Sequence, residues 1–339
     1  MDLHQLRFAP KIIASVIIAT AVLALFEFWA FFGFDESAVE RNAFGFSSDA
    51  AFEVDGRYVA IGPAASRRFW PQRFPLVKPP NLRRIVVVGD SVMRGGSLVD
   101  SFTEILRTDL EKRCGIAAEV WNLSSPGYGS RRKAIVAKKA LEFHPDLVIY
   151  HAGVTTEYED SREWERYLDY HSSHPRHWVD QLPFLGRVKL LKVERAYWPW
   201  LPANVRSLAL EDGLEITLAA LVSKNDSQYW IPRMLPNVDR TIDEITHEGI
   251  PMIILVHADL DRHVGILLDR GLDKELMEHY GSRPGVAIVS NREIFSSQAD
   301  ISTLFFDSSH WTSSGADVVV QTMSRLASRA LHGSPGCQE

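Results

Sequence analysis

Ile85-Val86-Val87-Val88-Gly89-Asp90-Ser91 is the stretch on which the reading of the fold turns. Four β-branched apolar residues, cut off by a glycine, read as a short strand buried on both faces. Working outward, Glu119–Leu123, Leu147–Tyr150, Met252–Val256 and Val286–Val289 are runs of the same kind. Helical patterns lie between them, near residues 98–113, 131–143, 238–249, 270–280 and 313–330. Pro145-Asp146 and Gly249-Ile250-Pro251 supply turns ahead of two of the strands. Buried strands alternating with helices predict an α/β domain, a parallel sheet with helices on both faces.

The 339 residues carry 46% hydrophobic and 24% charged side chains, which excludes wholesale disorder. Lys+Arg 37 against Asp+Glu 43 leaves −6, with no run of like charge, so no nucleic-acid partner is expected. Cys114 and Cys337 stand far apart, outside any CxxC or Cys/His cluster. They exclude a zinc ribbon and a disulfide-stapled scaffold and leave the redox compartment open.

Residues 12–32 are almost wholly apolar, with Glu27 their one charged residue. About 21 residues make a helix roughly 30 Å long, the thickness of a bilayer core. Arg7 and Lys11 precede the segment, whereas Asp35, Glu36 and Glu40 follow it. The expectation is a single N-terminal transmembrane helix with residues 1–11 in the cytoplasm and the remainder in the periplasm or outside the cell. A cleaved signal peptide and a buried soluble helix are the competing readings. Residues 33–83, rich in proline and without a clear period, read as a juxtamembrane extension.

Residues 158–235 interrupt the alternation with aromatics that include Trp164, Trp178, Trp198, Trp200 and Trp230. They are either the core of a helical insertion or a cap whose rings meet a sugar or an acyl chain. Residues 333–339 read as a flexible tail.

In open α/β sheets, ligands gather at the carboxyl ends of the strands. The polar residues that follow the runs are Gly89-Asp90-Ser91, Asn122 through Gly129 and His151 through Glu157, and far downstream Asp307-Ser308-Ser309-His310 stands just before a helix. A serine hydroxyl attacks an acyl carbon only when a base takes its proton. Histidine, with an ordinary pKa near 6.5, suits that task, and a carboxylate fixes its tautomer. Backbone N–H groups at Ser91 and Gly127 are placed to receive an oxyanion. Asp90 reads as a holder of the turn, and His151, His257 and His263 as core or surface residues. His171, His174 and His177 read as solvated, not as metal ligands. No phosphate-loop or dinucleotide motif follows the first strand.

These blocks resemble those of the SGNH (GDSL-type) hydrolase superfamily, over residues 84–332. The resemblance implies a flavodoxin-like three-layer α/β/α sandwich around a five-stranded parallel sheet. It implies Ser91 as nucleophile, His310 as base, Asp307 as its partner and Gly127 as an oxyanion donor. The family's Gly-x-Asn-Asp block is matched by Gly153-Val154-Thr155-Thr156, so Thr155 stands where an asparagine amide donates. The expectation is a membrane-anchored serine esterase with no cofactor and no metal, acting on a small-molecule or polysaccharide ester, foremost O-acetyl groups of envelope polysaccharide. A lipid or lysophospholipid esterase, an acyl transferase and a glycan-binding protein with a degenerate site are the alternatives. Protein partners are not readable.

Overall fold

A computed structural model describes residues 14–25, 45–46, 51–61, 69–95, 101–171, 226–332 and 337. The chain divides into two units, Met1–Phe44 with Leu168–Glu215, and Gly45–Tyr167 with Ile216–Glu339.

In the first unit, residues 14–25 are helical and leave Val16, Ile17, Ile18, Val22, Leu23 and Leu25 exposed. No described helix is long and apolar enough to cross a membrane. Residues 12–13 and 26–32 of the expected span lie outside the described residues, as do residues 172–225 of the aromatic insertion and His174 and His177.

The second unit carries the predicted sheet. Strands Arg83–Val88 (β4), Ala118–Asn122 (β5), Leu147–Ala152 (β6), Met252–Val256 (β7) and Val286–Ser290 (β8) are parallel in the order β8-β7-β6-β4-β5. Alternate side chains enter opposite cores, as a period of two requires. Val86, Val88, Val148, Tyr150 and Ile254 pack with helices Ser130–Leu141 (α3), Ser227–His247 (α5) and Leu272–Tyr280 (α6). Ile85, Val87, Ile149, Ile253 and Leu255 face the other way. They meet Ser91–Arg94 (α1), Phe102–Cys114 (α2), Asn291–Phe295 (α7) and Ser313–His332 (α8). Three layers result.

Two elements differ from expectation. Residues within the supposed extension form an antiparallel sheet, Phe52–Asp55 (β1), Tyr58–Ile61 (β2) and Gln72–Pro75 (β3). Arg84, buried beside Glu119, fastens it to the main sheet by donating to the Pro75 (2.8 Å) and Leu76 (3.3 Å) carbonyls. Helix α5 begins at Ser227, capped by Asp226, and runs through Pro232 and Pro236. The aromatic stretch starts as helix Thr155–His171 (α4).

Cys114, at the end of α2, and Cys337, just past α8, form a disulfide across 223 residues. Although isolated in sequence, the cysteines meet because α2 and α8 pack on one face of the sheet. In the chain-entropy account, closing so long a loop removes freedom from the unfolded chain. Cys114→Ser is expected to lower stability by about 2–4 kcal/mol. Urea denaturation without reductant checks this, and an unchanged midpoint contradicts it.

Candidate active site

The strand order reverses about β4. The chain steps from β4 to β5 on one side, then crosses to β6 on the other. Such a switch point opens a crevice at the carboxyl ends of the strands, and Ser91 stands directly after β4. Asp90 caps α1, its Oδ1 accepting from Val92 N–H (3.0 Å). Gly89 fits because a Cβ there would lie 2.7 Å from Met93 and 3.0 Å from the Ser124 hydroxyl. Asn122 at the end of β5 donates to the carbonyls of Met93 (3.3 Å) and Arg94 (3.2 Å), tying the nucleophile's helical turn to the sheet.

From the far end of the chain, residues 305–311 form a closed loop. Phe305 bridges Trp311, and Phe306 N–H donates to the His310 carbonyl (2.7 Å). Thr312 Oγ1 then accepts from Gly315 N–H (3.3 Å) and starts α8. The loop sets two half-exposed side chains toward Ser91. The Ser91 hydroxyl lies 2.8 Å from His310 Nε2, and His310 Nδ1 lies 2.8 Å from Asp307 Oδ2. Burial pushes the Asp307 carboxyl up, but the N–H groups of His310 and Ser309 and the ring itself outweigh it. The net effect holds Asp307 below the usual carboxylate range. An ionised carboxylate only accepts, so Nδ1 carries the ring proton and Nε2 is free to accept from Ser91. The predicted Ser, His and Asp are brought together.

The loop after β5 lies against this turn, Ser125 N–H donating to the Gly89 carbonyl (3.2 Å). Gly127 has φ +72°, and a Cβ there would come within 2.5 Å of the Glu159 carboxylate. The positive φ favours glycine, whereas the exposed Glu159 side chain is free to swing aside. Among the described residues the N–H groups of Ser91 and Gly127 have no partner, as donors awaiting an oxyanion require. Thr155 is placed differently from its expected role. Its hydroxyl donates to Asp259 Oδ2 (2.6 Å), and a hydroxyl has one proton to give.

Two buried networks beneath the site go beyond what the sequence reading found. In the first, Asp90 Oδ2 accepts from Lys133 Nζ (3.0 Å) and sits 3.0 Å from His151 Nδ1. Burial, against the pull of Asp90, lowers His151 to about 4, so its ring is neutral at pH 7. Burial also opposes ionisation of Asp90, but the neighbouring His151 and Lys133 keep its carboxyl well below the usual range. In the second, Glu157 and Asp160, one turn apart on α4, hold the glycine loop. Ser130 N–H (2.5 Å) and hydroxyl (2.9 Å) donate to Glu157, Gly129 N–H donates to Asp160 (3.2 Å), and Arg132 bridges Asp160 and the Gly127 carbonyl.

Burial and the neighbouring Asp160 raise Glu157 to about 7. The folded protein therefore holds this proton more tightly than the unfolded chain. The stability gained is present below pH 4.5 and is lost as pH rises through 7. His151 has the opposite sign: its depressed value costs stability as pH falls from 6.5 to 4. The two slopes oppose each other between about pH 4.5 and 6.5. Glu157→Gln is expected to unmask His151, so that the Tm climbs more steeply with pH across this range than in wild type. Parallel Tm–pH profiles of the two proteins contradict this.

No family model matches the chain, and no curated protein does. Among solved structures it is similar to a lipase/acylhydrolase from Enterococcus faecalis at 15% identity and TM-score 0.44, over 75% of this chain and 98% of that one. It is also similar to a GDSL-like lipase from Bacteroides thetaiotaomicron at 12% identity and TM-score 0.39, over 74% and 89% of the two chains. A third is an SGNH-hydrolase family esterase at 17% identity and TM-score 0.36, over 75% and 99%.

Proposed function

We propose that the chain is a serine ester hydrolase of the SGNH type, anchored to a membrane by residues 12–32, that removes O-acetyl groups from envelope polysaccharide outside the cytoplasm. The observation that carries the ester chemistry is the Ser91–His310–Asp307 array, 2.8 Å at each link.

Ser91 Oγ attacks the ester carbonyl while His310 Nε2 takes its proton, and Asp307 stabilises the imidazolium that forms. The tetrahedral oxyanion points to the N–H groups of Ser91 and Gly127. His310 returns the proton to the leaving alcohol as the C–O bond breaks. Water, deprotonated by the same nitrogen, then releases acetate and restores Ser91.

Substrate and location are supported by exposure, redox chemistry and apolar surface. The half-exposed imidazole and carboxylate suit an ester carried on a bulky polymer. The Cys114–Cys337 disulfide favours an oxidising compartment, and the apolar faces of residues 14–25 suit a lipid surround.

The test combines a fluorophosphonate probe with membranes and O-acetylated envelope glycan. Labelling at Ser91, recovery in the membrane fraction and release of acetate are the expected results. Release of fatty acid alone replaces the substrate assignment. Recovery only in the soluble fraction overturns the anchor. A folded chain that resists the probe overturns the hydrolase and leaves a binding protein.

A further inference from the structure

Directly after β7, His257-Ala258-Asp259 runs along the rim of the sheet. Asn291 holds this segment rigidly, Oδ1 accepting from Ala258 N–H (2.7 Å) and Nδ2 donating to the Ala258 carbonyl (3.1 Å). Asp259 is 5% exposed and gathers donors from three other parts of the chain. Arg270 Nη2 (2.9 Å) and the Thr155 hydroxyl (2.6 Å) donate to Oδ2. The Ser309 hydroxyl donates to Oδ1 (2.5 Å), and His257 Nε2 lies 3.4 Å away.

Arg270 alone would neutralise this carboxylate. The two hydroxyls come instead from the residue beside the catalytic base and from the first residue of α4. Hydrogen bonds to a charged acceptor are about twice as strong as neutral ones. Ser309 is central to the Asp307–His310 loop, since its N–H donates to Asp307 Oδ1 (2.8 Å). Beside it, Leu260 N–H donates to the Ser308 carbonyl (2.7 Å). The loop that carries both Asp307 and His310 is therefore fixed to the post-β7 segment through main chain and side chain.

We propose that Asp259 is a positioning residue of the triad, holding the Asp307–His310 loop through the Ser309 hydroxyl so that His310 Nε2 stays in register with Ser91. The proposal rests on the esterase reading. Asp259 touches no reacting atom. It acts through Ser309, and its bond to Thr155 keeps that hydroxyl directed away from the oxyanion while the carboxylate is ionised.

A double-mutant cycle on the full chain, read as kcat and KM for p-nitrophenyl acetate, tests it. Ser309→Ala is expected to lower kcat about 10-fold with KM within about 2-fold, because misplacing a base by a fraction of an ångström weakens the chemical step and not substrate binding. Asp259→Asn is expected to lower kcat by a further factor of less than about 3 when Ser309 is already alanine, since residues acting through one contact are non-additive. Ser309→Thr, which keeps the hydroxyl, is expected to restore most of the rate. Full kcat in Ser309→Ala, independent multiplicative losses, or a Ser309→Thr variant as slow as Ser309→Ala overturns the positioning role. Should Asp259→Asn fail to fold, the two Ser309 variants decide the question alone. A Ser91→Ala control separates the two levels. Turnover that depends on Ser91 but ignores Ser309 overturns only the role of Asp259, whereas turnover independent of Ser91 overturns the esterase reading and this proposal with it.

Discussion

Substituting Ser91 by alanine is expected to abolish turnover of p-nitrophenyl acetate, a fall on the order of 10⁶-fold in kcat. Without Oγ there is no atom to form the acyl-enzyme, and His310 Nε2 has lost the group whose proton it accepts at 2.8 Å. The backbone donors and the binding surface survive, so a residual rate about 10³–10⁴-fold above that in water remains. The fold is expected to be untouched. Among the described residues the Ser91 side chain has one hydrogen bond, to His310, and α1 is capped by Asp90 instead. Stability should therefore move by no more than about 0.5 kcal/mol. Circular dichroism and the Tm establish folding, and a folded alanine variant with wild-type turnover refutes the nucleophile.

Asp307→Asn is expected to cost about 10⁴-fold in kcat. The change preserves shape, because the asparagine oxygen can still accept from the N–H groups of Ser309 and His310 as Oδ1 does now. What it alters is the proton on the ring. An amide –NH₂ facing Nδ1 can only donate, so the imidazole must place its proton on Nε2, toward Ser91, where it has no lone pair for the hydroxyl. The imidazolium of the transition state also loses its counter-charge. Because binding groups are unaffected, KM should stay within about 3-fold while kcat falls. A loss smaller than about 10-fold would mean that Asp307 neither sets the tautomer nor stabilises the charge.

The main sheet was legible because its strands are buried on both faces and therefore read as uninterrupted apolar runs, Met252–Val256 being the clearest. The Ser91 block was legible because a strand end announces itself by an abrupt change to polar residues, and the Asp307–His310 block because it stands just before the last helix. The small sheet β1–β3 was not. Its strands have four residues each, too short for an alternation such as Phe52-Glu53-Val54-Asp55 to stand out. The available signal was Gly56, which opens the two-residue turn Gly56-Arg57 between the two short runs. Helix α5 was shortened by Pro232 and Pro236, which argue locally for a break. Packing of Trp230, Met234 and Val238 into the core outweighs them.

Buried charges were hardest to see, because their partners are remote: Asp90 and Lys133 are 43 residues apart, and Thr155 and Asp259 are 104 apart. Composition treats such residues as solvated. Lys133 did leave a trace. It sits three, four and seven residues before Val136, Ala137 and Ala140, on the face of α3 that enters the core. A lysine in an apolar stripe asks for a buried anion, and Asp90 is that anion.

The bond between Cys114 and Cys337 makes the chain a covalent ring with a tail. The base, its carboxylate partner and the glycine donor lie within the ring, and the nucleophile lies on the tail that leads into it. A protease cutting once between the two cysteines would leave both fragments tied together. Such a nick would be invisible on a gel run without reductant and would separate into two bands once thiol is added. Because position 337 follows position 114 by 223 residues, the ring can close only after that whole intervening stretch has left the ribosome.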